Sequence, residues 1–201
     1  MNQSNGEQIR AFVHSRISRL AQRDDQALAA TLANLRRGIG KEPGSEPTLW
    51  EITLDGLPET LQGTGVKPSP GERAVHTTLT LFALHQQGKN IRLKCMNESG
   101  VTVGGAIRQM IRQKPEREEA IKRRFMVAVT ADSYEELAWH LRGIVQLLRA
   151  EEIKLDYPNL AKNIFHFQFA DYRDSIRLQW GRQLYWQPLR ERSVQDDNNN
   201  L

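Results

Sequence analysis

Cysteine is almost missing from this 201-residue chain, with Cys95 the only one. A lone thiol can form neither an internal disulfide nor a multi-thiolate zinc site, so packing has to hold the fold. Long hydrophobic runs are missing too. The apolar stretches are a few residues long, as at Met126 to Val129, against roughly 18 consecutive apolar residues for a membrane-spanning helix. The opening MNQSNGEQIR has no apolar segment behind a basic start and no small-residue cleavage site, so a secretory signal is unsupported and a cytoplasmic protein, off the membrane, is expected. The P-loop, HExxH and GxSxG signatures are absent. The histidines His14, His76, His85, His140 and His166 include no pair at ligand spacing. Glu136 and His140, four apart on a helix, read equally as an ordinary helix contact. No metal, cofactor or small-molecule substrate is therefore expected, nor any catalytic residue.

What is present is enough for a core. Hydrophobic residues make up 39% of the chain, and at roughly 150 residues per domain the length suits one large domain or two small lobes. No alternation of period two persists, whereas the helical period recurs throughout. Ile9, Phe12, Val13, Ile17 and Leu20 form one stripe. Asp24 or Asp25 caps a second helix with Leu28, Leu32 and Leu35, which Gly38 ends as a left-handed residue. Pro47 opens a short helix through Leu49, Trp50 and Leu54, closed by Gly56. The segment 61–71, rich in Gly and Pro, reads as an irregular, mobile connection. Ser69 and Pro70 then start a helix whose core face holds Val75, Leu79 and Phe82, and Gly88 stops it.

Residues 89–100 carry no clear period. A helix begins near Thr102 with Val103, Ile107, Met110 and Ile111, and must end before Pro115. Pro115 restarts the chain with Ile121, Phe125, Ala128 and Val129 inward. Asp132 and Glu135 predict a capping box for the helix of Leu137, Leu141, Ile144, Val145 and Leu148. An aromatic helix with Leu160, Ile164, Phe165 and Phe167 follows Asp156 and Pro158. A last helix from about Asp174 places Ile176, Trp180, Leu184 and Tyr185 inward, and Pro188 ends it. The expected fold is all-α, a multi-helix bundle over 1–192 divisible into lobes 1–100 and 101–192. The polar tail 193–201 is expected to be disordered.

Charge is modest overall and concentrated locally. The chain carries 28 Lys and Arg against 24 Asp and Glu, a net of +4. Between Arg108 and Arg124 seven basic residues stand against three acidic ones, so this segment alone matches that net charge. Arg108 and Arg112 share a helix face, Arg123 lies opposite the Ile121 and Phe125 stripe, and Lys122 and Arg124 border it. A second cluster, Arg36, Arg37 and Lys41, ends a helix beside a glycine turn. Either cluster reads as a phosphate track. Each also has a structural explanation, as a solvated face offset by Glu116, Glu118 and Glu119, or as cations favoured by a helix C-terminus. The aromatic residues could stack on bases, but most sit on apolar stripes and read as core or a protein interface.

Taken in order, the blocks 33–44 (ANLRRGIGKEPG), 47–50 (PTLW), 78–88 (TLTLFALHQQG), 103–110 (VGGAIRQM), 123–128 (RRFMVA), 140–149 (HLRGIVQLLR) and 155–157 (LDY) resemble the CasB family, the small subunits of the type I-E CRISPR surveillance complex, Cascade. The resemblance runs from about residue 8 to Tyr185. The chain departs from the family in an extended loop at 62–70 and in the polar tail after Arg192.

The resemblance implies an all-α, non-catalytic subunit present in two copies running head to tail along the complex. There it contacts the other Cascade subunits, backbone and large, and helps hold target DNA and the crRNA–DNA hybrid as the R-loop opens. It assigns nucleic-acid contact to Arg36, Arg37, Arg108, Arg123, Arg124 and Arg142, and beside them to Lys41 and Arg112. Guide RNA reads the sequence in such a complex, so this subunit needs only a sequence-blind basic track. Two other classes stay open. One is a pure protein scaffold whose cations pair with acidic neighbours. The other is a nuclease, which would need clustered carboxylates such as Glu118 and Glu119, Glu135 and Glu136, or Glu151 and Glu152 to hold metal ions.

Overall fold

Asp24 shows how this chain builds its helices: its carboxylate accepts from the Ala27 amide at 2.8 Å and starts a helix whose Leu28, Leu32 and Leu35 all turn inward. The computed structural model describes residues 2–185. Among them are nine α-helices: α1 (Asn2–Gln22), α2 (Asp25–Arg37), α3 (Trp50–Thr53), α4 (Pro70–His85), α5 (Val103–Gln113), α6 (Glu118–Val129), α7 (Tyr134–Ala150), α8 (Tyr157–Phe167) and α9 (Ala170–Tyr185). Short 3₁₀ turns precede α3, α4 and α6. The one extended pairing among the described residues is a parallel bridge between Asn97 and Leu155. The fold is all-α, as the helical periods predict. Pro188 and the tail 193–201 lie outside the described residues.

α4 runs through the centre. A capping box joins Ser69 and Glu72 at its start, and α1, α2, α3, α7 and α8 pack around it. It is buried on every side from Ala74 to His85, not on one face alone. Small and β-branched residues allow this close approach, and its polar groups bond locally. Thr77 meets the Tyr134 hydroxyl at 2.6 Å, Thr80 donates to the Thr77 carbonyl at 2.9 Å, and His85 Nδ1 lies 2.9 Å from the Tyr157 hydroxyl. α5 packs against α9, α6 and α7, and one buried apolar cluster continues from Ile9 to Leu184.

Four local expectations are corrected. Gly38 has right-handed φ of −77°; the left-handed residue of that turn is Gly40, at φ 76°. A Cβ at Gly38 would stand 2.6 Å from Leu49 Cδ1, so the leucine side chain would have to shift to admit one. The cap of α7 is Ser133, whose hydroxyl accepts from the Glu136 amide at 3.1 Å, while Glu136 accepts from the Asp132 amide at 2.9 Å. The motif sits one residue later than Asp132 and Glu135 suggest. α9 begins at Ala170, four residues before Asp174, because Tyr172 stacks on His166 at 4.9 Å and Arg173 Nε donates to the Phe167 carbonyl at 3.0 Å. These contacts tie its first turn to the end of α8. Tyr185 is exposed rather than inward; it faces Lys122, whose ammonium lies 5.7 Å from the ring centre.

Candidate nucleic-acid interface

The basic residues of the α2 C-terminus are held in place from below. His76 on α4 donates through Nε2 to the Gly38 carbonyl at 2.9 Å, and burial pushes its imidazole below the ordinary histidine range. The turn is therefore pinned by a neutral group, and the charge above it is arginine and lysine. Arg37 is exposed and donates to Asn34 Oδ1 at 3.3 Å. Lys41 pairs with Glu46. Arg36 is half-buried, and burial together with the nearby positive charge of Arg149 holds its guanidinium below the usual arginine range.

Arg123 and Arg124 stand on α6, which a turn at 130–133 joins to α7. Arg177 on α9 fixes that turn. Its Nε donates to the Val129 carbonyl at 3.0 Å and its Nη2 to the Ala131 carbonyl at 2.9 Å, with Asp132 and Asp174 pairing at 3.3 and 3.1 Å. This satisfies the Val129 carbonyl at the end of α6, which otherwise lacks a helical partner, and the Ala131 carbonyl of the turn. Between α6 and α7 lies a groove of about 590 Å³ lined by Arg123, Arg124 and Val127 from one helix and Trp139, Arg142 and Gln146 from the other. A smaller depression of about 190 Å³ adjoins it between α7, α4 and the turn after α2; it shares Trp139 and Arg142 and adds Lys41. Arg123 and Arg124 thus share Arg142 as a neighbour with Lys41, while Arg36 and Arg37 line neither depression. Arg149, two helical turns beyond Arg142, continues the same face towards Arg36.

Most other cations are neutralised. Lys122 pairs with Glu118 at 2.5 Å, Lys114 and Arg117 both reach Glu151 at 3.7 Å, and Arg73 reaches Glu135 at 3.6 Å. Lys122 is thus offset by Glu118, one of the acids the sequence offered, and Lys114 and Arg117 by Glu151 at the end of α7 instead; none of the three lines the groove. Among the described residues, no carboxylate pairs with Arg36, Arg123, Arg124, Arg142 or Arg149. Arg108 and Arg112 are different. They lie on α5, are engaged in interactions of their own, and line neither depression.

Sequence reasoning missed two residues. Arg149 was legible as the residue two turns beyond Arg142. Trp139 was not, because an aromatic residue in a helix is ordinarily core; here it is 68% exposed, while Trp180 is buried.

The paired carboxylates are spread over the surface. Glu135 and Glu136 face Arg73 and His140, the latter at 3.7 Å, and Glu152 bonds Lys94. Among the described residues no three metal-ligating side chains come together, and no helix is long and apolar enough to cross a membrane. Burial pushes the Cys95 thiol above its ordinary range, which disfavours the thiolate. An array of uncompensated guanidinium groups along a groove can bind successive phosphates and release their counterions.

Comparison with known proteins gives the groove a context. The family described as CRISPR-associated protein Cse2 matches residues 31–185. The crystal structure of CasB from Thermobifida fusca is 32% identical, with a TM-score of 0.74 over 89% of this chain and 98% of that one. A Cse2-family protein from Thermus thermophilus superposes with a TM-score of 0.66 at 21% identity, covering 87% of this chain and 96% of its own. A chain of a CRISPR RNA-guided surveillance complex shares the fold at 16% identity, with a TM-score of 0.66 over 88% of this chain and 95% of that one. No curated protein matches.

Proposed function

Because the chain belongs to the CRISPR-associated Cse2 family, the CasB proteins, we propose that it is a non-catalytic small subunit of a type I-E Cascade complex that holds nucleic acid without reading its sequence. Its partners in this reading are the backbone and large subunits, a second copy of itself, and the target DNA with its crRNA hybrid. The observation that carries the proposal is the groove between α6 and α7, where Arg123, Arg124 and Arg142 converge with no carboxylate paired to them among the described residues. The likeness to a chain of a surveillance complex supports the setting. R-loop formation there is nearly balanced in free energy, so a few phosphate contacts suffice to tip it.

Arg36, Arg37 and Lys41 extend the track across α7. Arg108 and Arg112 belong to the proposed contact set as a separate patch on α5. A pure scaffold would instead need acidic partner surfaces for Arg123, Arg124 and Arg142.

Salt dependence tests the reading. Binding should fall linearly in log salt, with a slope of about −0.7 per neutralised phosphate on single strands and about −0.9 on duplex. Replacing Arg123 and Arg124 together by Ala should weaken binding to every base sequence and shallow the slope by somewhat more than about one unit. An unchanged slope would remove both arginines from the contact.

A further inference from the structure

We infer that Trp139 is a base-stacking platform that makes the α6–α7 groove select single-stranded DNA; this rests on the proposed phosphate track and adds to it what kind of strand the track accepts. The apolar stripe of α7, Leu137, Leu141, Ile144, Val145 and Leu148, is at most 1% exposed. Trp139 lies two positions from Leu137, about 200° around the helix axis, and so points away from that stripe. It is 68% exposed, and folding gains little from it. The other tryptophans described have structural work: Trp180 is buried, and Trp50 donates from its indole nitrogen to the Gly44 carbonyl at 2.8 Å. Trp139 has no hydrogen-bond partner among the described residues. One neighbour braces it, His140, whose ring meets it edge to face at 5.0 Å and 81°.

Charge complementarity selects the occupant. Trp139 sits where the two depressions join, beside Arg142 and across from Arg123 and Arg124. The smaller depression also holds Glu42 and Glu135, the latter paired with Arg73. The larger groove's arginines, with no carboxylate partner among the described residues, call for a polyanion. A base inside a duplex is already stacked on both sides, so an indole can engage only a base that is unpaired. Aromatic platforms flanked by cations bind single strands in this way, with little preference among bases.

The test compares three probes of equal length: a thymidine oligomer, a duplex, and a single strand of abasic sites that keeps the phosphates and lacks the bases. Trp139→Ala should weaken binding to the thymidine oligomer by roughly 5- to 150-fold per stacked base and leave the duplex and abasic affinities and the salt slope unchanged. Trp139→Phe should restore part of the loss. Equal loss on all three probes would overturn the inference, since the variant would then have disturbed the groove itself. Unchanged binding to all three with failed assembly of the complex would also overturn it, making Trp139 a protein contact. If the wild-type chain shows no salt-dependent binding to any probe, the phosphate track fails and the inference with it; if the wild type binds with a steep slope and Trp139→Ala changes nothing, only the inference fails.

Discussion

His85 ends α4 fully buried, its ring against the Tyr157 hydroxyl. Burial, reinforced by the charge of Lys89, lowers its pKa from the ordinary 6.5 to about 4. Between those two values the unfolded chain takes up a proton that the folded chain refuses. Stability from this group is therefore complete above pH 6.5 and is lost as the pH falls towards about 4, a change of about 3 kcal/mol. His76, also depressed by burial, acts in the same direction. Urea unfolding at about pH 7 and about pH 4.5 should show this loss, and His85→Gln should reduce the difference between the two.

Leu141 is 1% exposed under the groove, so Leu141→Ala should cost about 2 to 5 kcal/mol in the same assay. Residues of this kind were legible in the sequence, because helical spacing alone places Leu141, Ile144 and Leu148 inward. Trp139 and Tyr185 were not. Spacing says which residues share a face; which partner covers that face is decided by elements distant in the chain.

The same division appears between elements. Most of the helices start or stop where Pro, Gly, Asp, Ser or Thr signals put them, since caps and breakers act within a few residues. α7 shifts by one because Ser133 and Asp132 are both competent caps, and only the reach of Glu136 decides between them. The segment 89–100 shows no period because it is ordered by side chains from elsewhere. Gln86, buried at the end of α4, donates to the carbonyls of Lys89 and Lys94 at 3.1 and 3.0 Å and accepts from the Met96 amide at 2.9 Å. Asn97 Oδ1 then accepts from the Tyr157 amide at 2.9 Å.

Crossing distance is likewise invisible in sequence. At the contact of α5 with α9, a Cβ on Gly104 would fall 2.3 Å from the Trp180 carbonyl oxygen and 3.0 Å from the Leu184 nitrogen, backbone that cannot step aside. Gly104→Ala should therefore destabilise by about 1 to 3 kcal/mol, despite the better helix propensity of alanine. Gly181→Ala, with open space around it, should be neutral or stabilise by up to about 1 kcal/mol. Thermal melts of the two variants would show opposite shifts.

On the scale of the whole molecule, parts of two basic clusters far apart in the chain, Arg123 and Arg124 from one and Lys41 from the other, come to lie on either side of Arg142. Each was visible as sequence, and each had a sufficient local explanation. What separates these cations is the pairing of charges in space: Glu118 and Glu151 pair with Lys114, Arg117 and Lys122, whereas among the described residues no carboxylate pairs with the arginines of α7 or with Arg123 and Arg124 on α6. The family blocks in the sequence pointed to Arg142, and the groove adds Trp139 on the same helix.

The central claim is that this surface holds nucleic acid inside an assembled complex. Its most direct test is the lifetime of the R-loop formed by Cascade reconstituted with Arg123→Ala and Arg124→Ala together. Both side chains are exposed, so the variant should fold and assemble normally. The account predicts complete complexes whose R-loops are fewer or shorter-lived; complete complexes with R-loops of wild-type yield and lifetime would contradict it.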